Sequence, residues 1–325
     1  MQYFLIGYYG YLNTGDDICL QKTKELIKQQ DATATFLILG SKTNYINRVH
    51  IFKVIAAIMK SQKVVLGGGS LCQNVSSSMS LYYYLSLILI ARICNKPICA
   101  LAQGIGPIQG RFHNWISKWV FTYIKTISLR DSIYASFFKT KLPILSSDLA
   151  FHNANQHEYS GNSKSIGLNL CNLKYLNVTQ KISSYLTSKE FDVQKLSFCK
   201  TVDSVILNKL DTNSKSIHII ESENYYEKSK VSYKIIITMR YHSCVWAALQ
   251  GIPFLALAYD EKVALIAKQL KQPCIELYNN EFSIDKFSSL FTDLTDNPLI
   301  YQKHLSESCK QLIDISKLNK KVLSL

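Results

Sequence analysis

Short runs of β-branched and aromatic residues alternate with longer helical patterns from one end of the chain to the other. The strand candidates are residues 3–6, 35–39, 64–66, 98–101 and 126–129 in the first half, and 165–170, 194–198, 217–220, 234–238 and 254–258 in the second. This alternation is typical of βαβ units, in which the strands are parallel and buried. The sequence therefore predicts an α/β fold.

Polar residues without apolar periodicity occupy positions 152–165, near the middle of the 325 residues. Because a domain commonly has about 150 residues, the chain is long enough for two. We expect two Rossmann-like, doubly wound domains, 1–155 and 156–325, that face a cleft. A helical segment from about residue 296 could pack back on the first domain. In such sheets ligands bind beyond the carboxyl ends of the strands, so functional residues are expected there.

The chain carries 37 Lys and Arg against 23 Asp and Glu, a formal net charge of +14. Such an excess suits nucleic acid or an anionic membrane. The sequence has no recognised nucleic-acid-binding motif and no concentrated basic stripe with interleaved aromatic residues, so we expect no nucleic-acid partner. Most of the excess is dispersed lysine, including the lysines of residues 317–321. Peripheral contact of these lysines with the inner face of a membrane is an open alternative.

Nine cysteines are scattered without a CxxC pair, which favours buried reduced thiols over disulfides or a zinc site. The amino terminus lacks the basic region and the cleavage site of a signal peptide. The most apolar run, residues 81–91, is shorter than the about 20 residues that span a bilayer. These features predict a cytoplasmic protein without a metal site.

Three glycine-containing turns follow strands of the first half. The turn at 7–17 reads GYYGYLNTGDD, in which Asn, Thr and Asp side chains can cap the next helix. The turn at 67–70, GGGS, presents backbone N–H groups that suit a phosphate, a carboxylate or a sugar hydroxyl, although it lacks the Lys-Ser/Thr ending of a P-loop. The turn at 103–107, QGIGP, is followed closely by Arg111. Each turn alone has low specificity.

The segment TMRYHS at 238–243 combines three features that suit an anion and a proton transfer. A helix amino terminus offers unpaired N–H groups and the positive end of the helix dipole. Arg240 adds a fork that can grip a carboxylate or a phosphate. A histidine such as His242 can act as general acid or base near neutral pH. Arg130 ends the strand at 126–129 in the same way and is the matching candidate from the first domain.

Structural roles could explain the same residues. A strand-end histidine is more often a hydrogen-bonded structural residue than a catalyst, and Arg130 could form a local ion pair with Asp131. However, three of only five arginines, Arg111, Arg130 and Arg240, lie in or just after such turns, which favours a functional interpretation. The other histidines have no metal-ligand spacing, and neither HExxH nor GxSxG occurs.

Seven segments, in order, resemble the polysaccharide pyruvyl transferase family: GYYGYLNTGDD, GGGSLCQNVSSSMSLYYYL, ALAQGIGPIQGR, ISLRDS, SSDLAF, MRYHS and GIPFLALAYDEKV. That family is similar in architecture to GT-B glycosyltransferases, with two facing Rossmann-like domains. Three positions depart from the family pattern. Asn74 stands where an Asp is typical, Met79 stands where an Arg is frequent, and Asn169 lies at the end of a strand that commonly ends with an Arg. These departures concern the acceptor site more than the donor site.

The resemblance implies transfer from phosphoenolpyruvate to two hydroxyls of one sugar of a cell-envelope or extracellular polysaccharide, with a pyruvate ketal formed and phosphate released. Phosphoenolpyruvate is the co-substrate, no cofactor is implied, and the acceptor would be a lipid-linked or nucleotide-linked saccharide. Arg240 and Arg130 would hold the carboxylate and the phosphate, in an unassigned order, and His242 would act as acid or base. The further substrate-binding residues implied are Asn13, Gly15, Asp16, Gly68, Gly69, Gln103, Gly104, Arg111, Ser243, Tyr259 and Lys262. A GT-B glycosyltransferase that uses a nucleotide sugar and a non-catalytic binding paralogue stay open as alternatives.

Overall fold

The computed structural model describes residues 1–75, 77–138, 142–161, 163–210, 212 and 216–324. The chain divides into two compact units. The first comprises Met1–Asn153 together with the segment that begins at Leu312, and the second comprises Ala154–Gln311. The division falls inside the polar segment 152–165. The second unit ends earlier than the domain 156–325 drawn from the sequence, because the final segment belongs to the first unit.

The described residues of the first unit form a six-stranded parallel sheet. Its strands are β1 (Gln2–Tyr9), β2 (Thr35–Gly40), β3 (Lys63–Gly67), β4 (Ile98–Gln103), β5 (Thr126–Leu129) and β6 (Ile144–Leu145), in the order β2-β1-β3-β4-β5-β6. The helices between them are α1 (Thr14–Gln30), α2 (Ile51–Lys60), α3 (Ser78–Ile93) and α4 (Arg111–Phe121), and two short 3₁₀ helices span Ala135–Phe137 and Leu149–Phe151.

Both faces of this sheet are covered, because successive side chains of a strand point to opposite faces. Phe4 and Ile6 of β1 belong to a core that α2, α3 and α4 cover. Tyr3 and Leu5 of the same strand belong to a second core that includes α1 and the buried Val322 near the carboxyl end of the chain. Helices α2 to α4 therefore lie on one face of the sheet, and α1 lies on the other.

The described residues of the second unit form another six-stranded parallel sheet. Its strands are β7 (Ser165–Asn169), β8 (Asp192–Ser197), β9 (Ile217–Ile219), β10 (Ile235–Thr238), β11 (Phe254–Ala258) and β12 (Cys274–Glu276), in the order β12-β11-β10-β7-β8-β9. The helices are α5 (Leu176–Ser188), α6 (Lys200–Leu207), α7 (Tyr241–Leu249), α8 (Glu261–Gln269), α9 (Ile284–Asp296) and the first part of α10 (Pro298–Ser316). Strand residues such as Leu168 and Ile237 pack with Phe287 and Phe291 of α9 in its core.

The two strand orders confirm the predicted pair of doubly wound α/β domains. Each order contains a point at which successive connections leave in opposite directions, between β1 and β3 in the first sheet and between β7 and β10 in the second. Ligands of open α/β sheets bind outside the carboxyl ends of the strands at such a point. The turns after β1, β3, β7 and β10 are therefore where functional side chains are expected in each unit.

All nine cysteines are free thiols, and seven of them are buried, as the sequence predicted. Across the described residues, no helix combines the length and the apolar character needed to cross a membrane.

The segment from Leu312 is held on the first unit by side chains that bind its backbone. Ser147 Oγ donates to the Leu312 carbonyl at 2.6 Å, and Thr126 Oγ1 donates to the Val322 carbonyl at 2.7 Å. Asn319 is fully buried, and its Oδ1 accepts a hydrogen bond from Ser128 Oγ at 2.6 Å. This segment, which ends in α11 (Lys320–Ser324), is therefore part of the folded core of the first unit.

His152 is fully buried beside this segment, which makes the first unit sensitive to acid. Burial lowers the pKa of His152 to about 4. Lys320 and Lys22 act in the same direction, while Glu25 and the backbone of Ser316 oppose them. The folded protein therefore keeps this imidazole neutral at pH values at which an unfolded chain would protonate it.

The free energy of unfolding is expected to fall as the pH drops from about 6.5 to about 4. In this window the unfolded state takes up a proton at His152 and the folded state does not, so protonation favours unfolding. The whole pKa shift corresponds to about 3 kcal/mol. Urea denaturation of the wild type and of His152→Gln across this pH range measures the effect. The variant should show the smaller pH dependence, and equal slopes would contradict the prediction.

Candidate active site

The turn after β1 places polar side chains at the start of α1. Asn13 precedes the helix, and its Nδ2 donates to Asp16 Oδ2 at 2.6 Å. Gly10 N–H donates to Asp17 Oδ1 at 2.8 Å. Carboxylates in the first turn of a helix are favoured by the helix dipole. Asn13 and Asp16, two predicted binding residues, therefore also fix the start of α1, in which the predicted Gly15 is buried.

The glycine turn after β3 packs closely against α1. Gly68 and Gly69 have φ values of +75° and +78°, in the left-handed region that glycine adopts without strain. A Cβ atom on Gly68 would lie 2.8 Å from Cys19 Sγ, and one on Gly69 would lie 3.1 Å from Asp16 Oδ1. These predicted residues are therefore brought together at the switch point of the first sheet.

Cys19 lies within this group as a buried thiol. Burial raises the pKa of its thiol well above the ordinary value. The Asp148 and Asp16 carboxylates act in the same direction, and Arg130 and the Gly69 N–H oppose them. A thiol attacks as the thiolate, a form that this environment disfavours at Cys19.

Arg130 follows β5, and Asp148 and Ser70 hold its guanidinium. Its Nη1 donates to Asp148 Oδ2 at 2.8 Å, and its Nη2 donates to Ser70 Oγ at 2.7 Å. A Cβ atom on Gly104 would lie 2.6 Å from Arg130 Nε, so the guanidinium requires a glycine there. The ion pair of Arg130 is thus made with Asp148, which is buried, and the local pair with Asp131 suggested by the sequence is not the hydrogen-bonded one.

Gln103 and Arg111 are two further predicted residues of the first unit. Gln103 is buried, and its Nε2 donates to the carbonyls of Leu66 and Gly68 at 3.3 and 3.2 Å, so it supports the glycine turn from inside. Arg111 is exposed as the first residue of α4. It lines a surface pocket with Trp115 and other residues outside the predicted set.

Arg240 immediately precedes α7 in the second unit and is held by Asp203. Its Nε lies 2.7 Å from Asp203 Oδ1, and its Nη2 lies 2.5 Å from the same oxygen. The backbone N–H of Arg240 donates to Thr238 Oγ1 at 3.1 Å. Burial alone would lower the pKa of Arg240, but Cys171 and Asp203 raise it above the ordinary value. The guanidinium is therefore both charged and oriented.

Asp203 joins the carboxyl ends of three strands. Its Oδ2 accepts the backbone N–H groups of Phe198 and Cys199, at 2.8 and 3.1 Å, and Asn169 Nδ2 at 3.1 Å. Asn169 Oδ1 in turn accepts the hydroxyl of Thr238 at 3.1 Å. Asn169, which stands where the family pattern has an arginine, is therefore part of the network that positions Arg240.

His242 and Ser243 lie in the first turn of α7 and differ in exposure. The His242 side chain is partly exposed, and the carbonyl of this residue accepts the Tyr225 hydroxyl at 2.8 Å. Ser243 is fully buried, and its Oγ has no hydrogen-bond partner among the described residues. Of these two predicted residues, His242 is the more exposed.

Tyr259 and Lys262 follow β11 and lie near Arg240. Lys262 Nζ is 3.1 Å from Asp260 Oδ2 and 5.8 Å from the centre of the Tyr259 ring. Burial raises the pKa of Tyr259 to about 12, with Lys262 opposing. Burial also raises the pKa of Cys171 to about 12, and both Arg240 and Lys262 oppose this rise. The two cations therefore share the neighbourhood of Cys171 at the carboxyl edge of the second sheet.

The second unit thus combines the groups needed to bind a small anion and move a proton. Arg240 and Lys262 supply positive charge, the start of α7 supplies N–H groups, and His242 can exchange a proton. The side chain of Arg240 is 16% exposed and that of Arg130 is 3% exposed, so Arg240 is the more accessible to a ligand. Sequence reasoning missed Asp148 and Asp203, which orient the two arginines.

Solved structures share this fold over the full chain. The S. aureus MnaA co-structure with UDP has a TM-score of 0.60 at 10% identity, and covers 100% of this chain and 98% of that one. The structure of Anabaena HepE in complex with UDP-glucose has a TM-score of 0.60 at 9% identity, with the same coverage of each chain. The likeness shows the fold, a pair of Rossmann-like domains of the GT-B-like class.

The model of the polysaccharide pyruvyl transferase family matches residues 13–261. The chain belongs to this family, which confirms the resemblance found in the sequence segments. Amylovoran biosynthesis protein AmsJ of Erwinia amylovora is 23% identical over 233 residues, which is 57% of this chain and 54% of that protein. The chain therefore spans about half the length of this curated relative.

Proposed function

We propose that the protein transfers the pyruvyl group of phosphoenolpyruvate to two hydroxyls of one sugar of a cell-envelope or extracellular polysaccharide, forming a ketal and releasing phosphate. The observation that carries the proposal is the start of α7, where Asp203 orients Arg240 two residues before His242. Family membership supports the same reaction class. The proposal requires phosphoenolpyruvate as co-substrate and no further cofactor.

Phosphoenolpyruvate carries a carboxylate and a phosphate, so its binding favours cations that are already oriented. A guanidinium held in place loses less conformational entropy when it grips an anion. Arg240 meets this condition through its two contacts with Asp203. In the proposal Arg240 and Arg130 each bind one anionic group of the donor, in an unassigned order, and Lys262 adds positive charge beside Arg240.

The reaction balances with one proton transfer to carbon. Protonation of the methylene carbon of phosphoenolpyruvate forms a methyl group and leaves positive charge on the adjacent C2 atom. The first sugar hydroxyl attacks C2 and loses its proton, the bond from C2 to the phosphate oxygen breaks, and phosphate leaves with the electron pair. The second hydroxyl then attacks C2 and loses its proton, which closes the ketal. The two hydroxyl protons account for the new C–H bond and for protonation of the phosphate.

His242 is proposed as the acid at the methylene carbon or as the base at a sugar hydroxyl. The guanidinium of Arg240 and the N–H groups of α7 would stabilise the negative charge that develops on the departing phosphate. Such preorganised charges are among the largest contributions to enzymatic rate enhancement. Positioning of donor and acceptor supplies the rest.

The test combines the protein with phosphoenolpyruvate and candidate lipid-linked or nucleotide-linked sugars. Phosphate release is followed together with the mass of the acceptor. The proposal expects phosphate release that depends on both substrates, and an acceptor mass increased by one pyruvate ketal. No phosphate release with any acceptor, together with no calorimetric binding of phosphoenolpyruvate, would overturn it.

A GT-B glycosyltransferase that uses a nucleotide sugar is the second candidate, since structures of the same fold were solved with UDP and UDP-glucose. A strand-end arginine such as Arg240 also suits a pyrophosphate. Calorimetry with UDP separates the two candidates, because binding of UDP without binding of phosphoenolpyruvate favours the glycosyltransferase. Saturable binding of phosphoenolpyruvate without turnover would instead indicate a non-catalytic paralogue.

A further inference from the structure

Helix α4 exposes aromatic and cationic side chains on a single arc. Phe112, Trp115 and Trp119 are 58%, 62% and 45% exposed. Arg111 and Lys118 are exposed as well. At 3.6 residues per turn, these five positions fall within an arc of about 120°. The exposed face of a helix in a soluble protein normally carries polar residues. Three large aromatic residues on this face therefore indicate a binding surface.

The neighbouring helices also expose apolar side chains. Helices α2, α3 and α4 cover the same face of the first sheet, and Tyr82 of α3 stacks on His113 of α4 with ring centres 5.4 Å apart. Phe52 and Met59 of α2 are 84% and 60% exposed, and Ile93 at the end of α3 is 82% exposed. Among the exposed apolar residues of these helices, we call six the aromatic surface: Phe52, Met59, Ile93, Phe112, Trp115 and Trp119.

The segment that carries the aromatic surface has charge of one sign only. Residues 32–130 contain eleven Lys and Arg and no Asp or Glu. Lys53 and Lys60 of α2 are exposed beside Phe52 and Met59, as Arg111 and Lys118 are beside the tryptophans. A partner for this surface must therefore be apolar at its centre and anionic where the cations lie.

We propose that the aromatic surface binds an anionic phospholipid bilayer, with α4 lying along the lipid headgroups. Interfacial helices combine Trp, Phe and Leu with Lys and Arg in this way. Tryptophan favours the membrane–water interface, and the long stems of Arg and Lys let their charges reach lipid phosphates. Arg111, Asn114, Trp115 and Lys118 also line a common surface pocket that suits a phosphate headgroup.

This inference goes beyond the proposed function and does not depend on it. From the sequence alone, membrane contact could be attributed only to dispersed lysines, including those of residues 317–321, and not to a defined surface. The structure instead singles out the face of the first sheet covered by α2 to α4, because helical periodicity gathers residues that are separated in the sequence. The lysines of α1 and of the carboxyl-terminal segment lie on the opposite face of that sheet.

Vesicle sedimentation tests the role of charge. The protein is incubated with vesicles of phosphatidylcholine alone and of phosphatidylcholine with about one quarter phosphatidylglycerol. Each Lys or Arg near an anionic surface contributes roughly fivefold to partitioning, so Arg111→Gln with Lys118→Gln should weaken binding to the anionic vesicles about 25-fold. The matched control, Lys28→Gln with Lys321→Gln, removes the same charge from exposed residues of α1 and α11. It should bind within about twofold of the wild type.

Tryptophan fluorescence tests the role of the aromatic residues. Trp115 and Trp119 are exposed, whereas Trp246, the third tryptophan of the chain, is buried. Brominated lipid in the anionic vesicles should quench the wild-type emission. The variant Trp115→Ser with Trp119→Ser should lose this quenching and bind roughly tenfold or more weakly, because the apolar area that enters the interface is smaller.

Three results would overturn the inference. These are no binding to anionic vesicles, equal loss of binding in the α1 and α11 control, or a dimer in solution that the two serine substitutions dissociate without any vesicle binding. The last result would make the aromatic surface an interface between copies of the chain. None of these measurements uses phosphoenolpyruvate, so their failure would leave the proposed reaction untouched.

Discussion

Replacing His242 with alanine is expected to lower kcat for phosphate release by about a hundredfold to ten-thousandfold, the range associated with loss of a general acid or base. The fold should survive, because the side chain is partly exposed and the Tyr225 hydroxyl binds the carbonyl of residue 242, which alanine retains. KM for phosphoenolpyruvate should change little, since Arg240 and Lys262 remain. Steady-state kinetics together with the thermal unfolding midpoint measure these effects.

His304→Ala is the matched control, because His304 is exposed on α10 in the same unit. It should leave both kcat and the unfolding midpoint unchanged. The pH profile of kcat/KM then assigns the role of His242 in the wild type. An acid at the methylene carbon loses activity on the alkaline side, and a base at a sugar hydroxyl loses it on the acid side. A folded His242→Ala protein with wild-type turnover would remove this residue from the mechanism.

Most of the fold could be predicted because its strands are buried on both faces. Strand β11 is apolar along its whole length, and β4 is apolar up to its last residue, Gln103. A turn follows each strand, so a local pattern identifies both. The strands missed were β6 and β12, with two and three residues at the edges of their sheets. Such short segments owe their extended form to pairing with a neighbour, which a local pattern does not contain.

The return of the chain from Leu312 to the first unit could not be predicted from local sequence patterns, for a related reason. It depends on hydrogen bonds between residues far apart in sequence, such as Ser128 with Asn319 and Thr126 with Val322. Serine, threonine and asparagine at these positions look like ordinary surface residues in the sequence. The sequence suggested only that a helical segment from about residue 296 could pack back, without its contacts.

The candidate site was predicted in part because arginine is rare in this chain. Only five arginines occur; Arg130 directly follows β5, and Arg240 lies two residues after the end of β10. Their partners were missed because they are distant in the sequence. Asp148 lies 18 residues from Arg130, and Asp203 lies 37 residues from Arg240. One signal was available for Asp203. It takes a position on the buried face of α6, together with Ile206 and Leu207, where an isolated carboxylate would be costly without partners.

Replacing Asp203 with alanine is expected to lower the free energy of unfolding by about 3 to 5 kcal/mol, which is the cost of removing one partner of a buried ion pair. The substitution leaves the charge of Arg240 without its counterion and leaves the N–H groups of Phe198 and Cys199 without their acceptor. Folded domains are stable by only about 5 to 15 kcal/mol, so the loss is a large share of the total. Urea denaturation with an unchanged m-value measures it.

Two further variants separate the charge from the hydrogen bonds. Asp203→Asn keeps one carbonyl oxygen as acceptor and should be less destabilised than Asp203→Ala. Adding Arg240→Met to Asp203→Ala removes the uncompensated charge and should recover part of the lost stability, because a buried pair replaced by apolar groups is often tolerated. Glu307→Ala, at an exposed position of α10, is the control and should stay within about 0.5 kcal/mol of the wild type. If Asp203→Ala is as stable as that control, Asp203 is not the residue that holds Arg240, and the orientation on which the proposed donor site depends has another origin.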